Sequence, residues 1–484
     1  MFNKYLSITF QKPKALMCCL VLLAFFVNSR NAVAQITLPK TPQEVKKEKA
    51  EAKRLREEAK KEEEAAKKEE EQAELIHIEV DPSRRDAIYK DDNTVTYKVK
   101  LRNTIKTAQE GSMSYDLLTD DNKPVLTGTF PLKMKFKESK DFDITIPKQA
   151  AGFYRLNVRV NATEYDDTIR RVFGVSPEKI RSELHRPADF DQFWAGTLAK
   201  LRTVAPQYKV THRPDKSTKD KKVYLVEMRS YDNFLIRGWM VIPTYGKKFA
   251  VHYRVPGYGV ELHPNMDADD FIAFDINVRG TGNSSDNIKL STDIYSTMFI
   301  EDRDSYIYRG AYMDCIRGMD FLFAATEMGV DTNRVYVEGG SQGGALGIVV
   351  AALDKRVRAL TVQVPLYSDI RDVNLVSSTY TEEVFPFKMF NRYRKSHPGY
   401  TWEDLYKVFD YYDPQNFAPL VKCPVLLGIG LLDLYCPPRC SLAMYNHLGT
   451  KNKEFVTVPN ATHEVDFHYF MFQNNWLREQ LRIP

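Results

Sequence analysis

The sequence predicts an α/β domain, a mostly parallel sheet with helices on both faces, preceded by an immunoglobulin-like β-sandwich. Three observations carry this reading. Period-two apolar runs fill residues 76–175. Strand-like and helical runs alternate from Val223 onward. A glycine-rich turn, Gly339-Gly340-Ser341-Gln342-Gly343-Gly344, joins an apolar run to an Ala/Val-rich segment. The 484 residues are 43% hydrophobic and 27% charged, enough for a sizeable core, which excludes global disorder and a disulfide-only miniprotein.

Residues 1–34 read as a signal peptide. Lys4, Lys12, Lys14 and Arg30 flank the short apolar run Ala15 to Val27, and Ala32-Val33-Ala34 supplies small residues for cleavage before Gln35. An uncleaved anchor is the alternative. The net charge of +5 falls to about +1 once those four cations are removed, so nothing points to nucleic acid or an acidic partner. No membrane span is expected after cleavage, and the expected location is secreted or periplasmic. Residues 35–75 form a charged linker. Its Lys, Glu and Ala tract lacks Gly and Pro from residue 45 on and suits a solvated helical spacer, with a coiled-coil stalk as the alternative.

Between Ile76 and Val175 about seven strands are expected. Val95, Tyr97, Val99 and Leu101 alternate with polar residues, as do Tyr154, Leu156, Val158 and Val160. This segment reads as a spacer or packing module, with carbohydrate binding as the alternative. Residues 176–484 follow as an α/β region. Strands are expected at Val223–Met228, Ile236–Ile242, Phe249–Val255, Phe271–Val278, Arg334–Glu338, Ala359–Val364, Val425–Gly430 and Phe455–Val458, with a long helix over Tyr306–Glu327.

Gly339-Gly340-Ser341-Gln342-Gly343 fits G-x-S-x-G, a weak string alone. Its place after Val335-Tyr336-Val337 and before a helix is that of a nucleophile elbow. A serine hydroxyl needs an adjacent base, and such folds supply Asp/Glu and then His at later strand ends. Asp433 follows Val425–Gly430, and His463 follows Phe455–Val458. Glu464 and Asp466 rival Asp433. His468 rivals His463, although its aromatic neighbours Phe467, Tyr469 and Phe470 suggest a packed helix. The oxyanion hole is expected from the backbone amides of Gln342 and Tyr258, the latter in Pro256-Gly257-Tyr258-Gly259, where the Tyr258 ring would also narrow the acyl pocket. Cys436 and Cys440 lack further evident metal ligands and read as buried free thiols, so neither metal nor cofactor is expected.

Residues 177–484 resemble carbohydrate esterase family 7, the acetyl xylan esterases and cephalosporin C deacetylases. The resemblance rests on the Arg186–Trp194 segment, Arg279-Gly280, Tyr308-Arg309-Gly310, Asp314, the Gly339–Gly344 elbow, Tyr412–Pro419, Lys422-Cys423-Pro424, Asp433, Cys436-Pro437-Pro438 and His463-Glu464. It implies an α/β-hydrolase fold and deacetylation of acetylated sugars, with a preference for small acyl groups. It also implies a homo-oligomer, a triad of Ser341, Asp433 and His463, and an oxyanion hole at Tyr258 and Gln342. Two positions depart from the pattern: Thr281 follows Arg279-Gly280 where the family has Gln, and Pro256 stands where it has His. The implied partner is an acetylated oligo- or polysaccharide substrate. Rival readings are a prolyl-oligopeptidase-like peptidase and a noncatalytic glycan-binding protein.

Overall fold

The computed structural model describes residues 75–483, apart from 92, 268, 269, 287, 289, 290 and 293. The expected signal peptide and the linker up to residue 74 lie outside the described residues.

Eight strands fill the first region: β1 (Ile76–Pro82), β2 (Ile88–Tyr89), β3 (Val95–Asn103), β4 (Gln109–Thr119), β5 (Pro124–Met134), β6 (Ser139–Ile146), β7 (Gly152–Ala162) and β8 (Tyr165–Val175). They form a three-stranded sheet, β1-β3-β6, and a five-stranded sheet, β2-β8-β7-β4-β5. The alternation in β3 buries Val95, Tyr97, Val99 and Leu101 and turns the residues between them outward. One strand more than expected appears because β2 spans two residues, too few for a period to show. In β7 the inward Leu156, Val158 and Val160 are buried as expected, but so is Asn157, which donates to Asp116 Oδ2 at 2.8 Å.

The second region begins with α1 (Phe190–Thr203), then β9 (Lys209–His212), β10 (Lys221–Arg229), β11 (Leu235–Pro243), β12 (Phe249–Arg254) and β13 (Phe271–Asn277). Helix α2 (Ile307–Ala324) leads to β14 (Val330–Gly340), α3 (Gln342–Leu353) and β15 (Ala359–Gln363). Four helices follow, α4 (Ile370–Ser377), α5 (Phe387–Ser396), α6 (Trp402–Phe409) and α7 (Pro414–Phe417), then β16 (Val425–Gly430), α8 (Pro438–His447), β17 (Lys453–Val458) and α9 (Phe467–Leu481). The nine-stranded sheet runs β17-β16-β15-β14-β12-β13-β11-β10-β9. Strands β12 to β17 pair in parallel, and β9, β10, β11 and β13 pair antiparallel along the other side. Neighbouring residues on the central strands go to opposite faces. Tyr336, Ala359 and Leu426 pack under α9, while Val337 and Leu360 lie beneath Gly347 of α3. The sheet is therefore covered on both faces, as an α/β-hydrolase fold requires.

Glu74–Pro484 forms one compact unit. The turn between β4 and β5 meets the catalytic region directly. Asn122 donates to Thr379 O at 3.1 Å, and Arg439 in α8 lies 2.9 Å from Asp372 and 3.5 Å from Asp120. Thr457 of β17 donates to Asp86 O at 2.6 Å. Burial pushes the Asp120 carboxyl up, and Arg439 opposes that rise. Replacing Arg439 with Met leaves two half-buried carboxylates without their cation. We expect a loss of about 1–3 kcal/mol in denaturant unfolding, less than for a fully buried pair because all three side chains keep some exposure. The loss should grow as pH rises through the carboxylate range, since only the ionised Asp120 needs the cation. An unchanged midpoint at both pH 5 and pH 8 would show that the contact contributes nothing.

Candidate active site

Ser341 stands between β14 and α3 with φ 57° and ψ −121°, a backbone conformation that L-residues rarely adopt. Such a conformation costs about 1–3 kcal/mol and persists only where neighbours hold it. Here the Ser341 amide donates to Gln363 O at 2.9 Å, and the Leu366 amide donates to Ser341 O at 3.0 Å. The flanking glycines allow the chain to fold back on itself. A Cβ on Gly339 would meet Gly343 O at 2.2 Å, and one on Gly343 would meet Val255 O at 2.5 Å. The elbow thus sits against the end of β12, where the Pro256–Gly259 loop begins.

The structure brings the three sequence-predicted residues into one line. His463 Nε2 lies 2.8 Å from Ser341 Oγ, and His463 Nδ1 lies 2.8 Å from Asp433 Oδ2. Asp433 Oδ1 accepts from the amides of Tyr435 at 2.8 Å and Cys436 at 2.9 Å. An ionised carboxylate is acceptor-only, so Nδ1 donates to it and Nε2 is left to accept the serine proton. Burial pushes the Asp433 carboxyl up, and the hydrogen bond from His463 opposes that shift. The rivals lie elsewhere. Glu464 and His468 are exposed, and the Asp466 carboxylate accepts from the Tyr469 amide at 3.0 Å to cap α9. The helix after His463 is packed on one side only: Tyr469 is buried, whereas Phe467 is 72% exposed and Phe470 47%.

Gln342 opens α3, in the first turn, whose amides have no acceptor within the helix. Its side chain, unassigned from sequence, ties the site together. Gln342 Nε2 reaches Pro256 O and Gly257 O, each at 3.3 Å, and its Oε1 accepts from Tyr308 OH at 2.6 Å. The loop carrying Tyr258 is thereby fastened to the helix start. The Tyr258 hydroxyl donates to Thr292 O and accepts from the Ser296 amide at 3.1 Å, so its ring is held by Thr292 and Ser296. A cleft of about 340 Å³ opens beside this loop, lined among others by Gly259, Glu261, Thr281, Ser285, Thr292 and Gln342.

Other segments that carry the family resemblance are tied together by buried contacts. Arg279 makes a buried bidentate pair with Asp314, at 2.9 and 2.8 Å, and donates to Tyr231 O at 2.9 Å. A Cβ on Gly310 would collide with that guanidinium at 2.1 Å, which explains the glycine after Tyr308-Arg309. Trp194 donates to Tyr411 O at 3.0 Å, joining the domain-opening helix to the Tyr412–Pro419 segment.

The cysteines Cys315, Cys423, Cys436 and Cys440 are free thiols, three buried and Cys423 half-buried. One expectation needs correction: potential ligands do gather at Cys436. Its sulfur, an Asp433 oxygen and a His463 nitrogen lie within 4.8 Å of one another, because the Asp433 loop folds Cys436 back toward the imidazole. The Asp433 and His463 atoms are already engaged in the hydrogen bonds above, and burial holds the Cys436 thiol well above its usual range.

An ordered Ser–His–Asp line on an α/β-hydrolase elbow narrows the choice of family, and sequence comparison decides it. Residues 177–479 match the acetyl xylan esterase (AXE1) family model. The chain belongs to the acetyl xylan esterase family. Family membership makes it a carboxylic ester hydrolase. It is 30% identical over 346 residues to acetyl esterase Axe7A of Xylanibacter ruminicola, covering 68% of this chain and 75% of that one. Among solved structures it resembles the acetyl xylan esterase from Paenibacillus sp. R4, at 27% identity and TM-score 0.57, over 63% of this chain and 98% of that one. Acetyl xylan esterase 1 from Thermoanaerobacterium sp. JW/SL YS485 shares the fold at 23% identity and TM-score 0.55, over 63% and 97%. Among the described residues, no helix is long and apolar enough to cross a membrane.

Proposed function

We propose that this protein is an exported serine esterase that removes acetyl groups from acetylated xylan, xylo-oligosaccharides or related sugars through an acetyl-serine intermediate. The unbroken hydrogen-bond line from Ser341 through His463 to Asp433 carries this reading. Ser341 Oγ attacks the acetyl carbonyl carbon as His463 Nε2 takes its proton. Negative charge gathers on the carbonyl oxygen, where the amides of Gln342 and Tyr258 would donate to it. The tetrahedral intermediate collapses, the ester C–O bond breaks, and His463 returns the proton to the departing sugar oxygen. Water then repeats the attack on the acetyl-serine, releasing acetate and restoring Ser341. Asp433 holds the ring in the required tautomer and stabilises the imidazolium throughout.

The test is acetate release from acetylated xylo-oligosaccharides and from 4-nitrophenyl esters of increasing chain length. We expect release from the saccharides, and a kcat/KM at least tenfold lower for butyrate than for acetate, the scale on which one or two added methylenes are discriminated. Peptide-amide hydrolysis without ester turnover would favour the peptidase. Sugar binding without acetate release would favour the noncatalytic reading.

A further inference from the structure

The proposed deacetylation fixes where the sugar must sit. The departing oxygen receives its proton from His463 Nε2, so the sugar ring leaves on the imidazole side of Ser341. That side carries an aromatic residue the chemistry does not require. The Tyr435 ring lies 5.1 Å from the His463 ring at an interplanar angle of 64° and is 40% exposed. Phe385 meets it edge-on at 6.2 Å and lies 4.7 Å from the Tyr258 ring. These rings form a continuous rim from the oxyanion loop to the catalytic base.

The rim is fixed at both ends. The Tyr435 backbone is pinned by its own amide on Asp433 Oδ1, at 2.8 Å, and the Tyr258 hydroxyl is bonded to Thr292 O and the Ser296 amide. Among the described residues the Tyr435 hydroxyl has no partner, which leaves it to a ligand or solvent. A large aromatic left in water beside a catalytic histidine forgoes the gain of burial. A pyranose ring recovers it. One face of such a ring is a patch of C–H bonds that packs flat on an aromatic surface, while its hydroxyls take hydrogen bonds from the edges. A rigid aromatic with a polar tip suits both demands at little cost in side-chain entropy.

We propose that Tyr435, backed by Phe385, is the stacking platform for the pyranose residue that bears the acetyl ester. This rests on the deacetylase reading above and goes beyond it by naming the surface that recognises the leaving sugar. The platform contacts the leaving group and not the acetyl group. It therefore separates acetylated saccharides from acetates of the same acyl chain whose alcohol has no ring.

The experiment compares kcat/KM for an acetylated xylo-oligosaccharide and for ethyl acetate in the wild type, Tyr435→Leu and Tyr435→Phe. Leucine keeps apolar bulk but removes the flat ring; phenylalanine keeps the ring. We expect Tyr435→Leu to reduce the saccharide-to-ethyl-acetate ratio roughly tenfold, mainly through KM, the size expected of one aromatic contact. Tyr435→Phe should hold the ratio within about threefold, the loss of one hydroxyl contact. Equal loss on both substrates in Tyr435→Leu would place the residue behind His463 instead and overturn the platform. So would an unchanged ratio. A wild-type enzyme that hydrolyses ethyl acetate but no acetylated saccharide would overturn the deacetylase reading, and the platform with it.

Discussion

Replacing Ser341 with Ala is expected to lower kcat on an acetate ester by roughly 10⁴-fold or more, with the fold intact. The argument is local. Only Oγ is removed, and it is the one atom in the line that can bond to the acyl carbon. The backbone stays where it was, because the hydrogen bonds to Gln363 and Leu366 use main-chain atoms. The positive φ of 57° is strained for serine and alanine alike, so it does not distinguish them. Unfolding free energy should therefore change by less than about 1 kcal/mol. Residual turnover is expected from the oxyanion amides and the ordered site alone. Circular dichroism and a denaturant midpoint check the fold, and acetate release checks the chemistry. Activity within tenfold of wild type would remove Ser341 from the mechanism.

What was legible in the sequence was what is encoded locally. The elbow announces itself because three short-range constraints, a strand, close backbone approach and a helix start, all fall within six residues. Asp433 and His463 are legible from strand ends, since each parallel strand delivers its following residue to the same edge of the sheet. The hidden features join distant segments. Tyr308 and Gln342 meet across 34 positions and Arg439 reaches Asp120 across the sandwich boundary, and no periodicity reports such pairs. Cys436 lies three residues from Asp433 in the chain, and only the fold brings His463 to both. Helices α4 to α6 span only eight to ten residues each and are separated by turns, so each is amphipathic but none makes a run long enough to stand out. Strand β9 is exposed at every position and offers no alternation. In α9 the aromatic neighbours of His468 suggest a packed helix, without saying which face packs. The spacing of Tyr469, Gln473, Trp476, Leu477 and Leu481 marks the inward face, and that spacing leaves Phe467, Phe470 and Met471 outside.

Asp433→Asn should separate activity from stability. Asparagine matches the aspartate in shape, and its amide oxygen can still accept from the Tyr435 and Cys436 amides. The other half then presents an NH₂ to His463 Nδ1. The imidazole must accept there, so its proton moves to Nε2, where it faces Ser341 Oγ. A ring in that tautomer cannot take the serine proton. The imidazolium that forms during attack also loses its neighbouring anion. Together these should lower kcat by about 10⁴-fold, the scale known for loss of the aspartate in such relays. Stability should move the other way. Burial raises the Asp433 carboxyl above its ordinary range despite the His463 bond. A folded-state pKa above the unfolded value means the folded protein binds the proton more readily. Stability from that group is then full at low pH and declines as pH rises through the folded pKa. Above that pH the wild type carries a buried anion at a cost that asparagine does not bear. The variant should match the wild type in acid and equal or exceed it in denaturant midpoint at neutral pH. A variant less stable at neutral pH than at pH 4, relative to wild type, would mean that the hydrogen bonds from His463 and the Tyr435 and Cys436 amides to the Asp433 anion outweigh the burial of the charge.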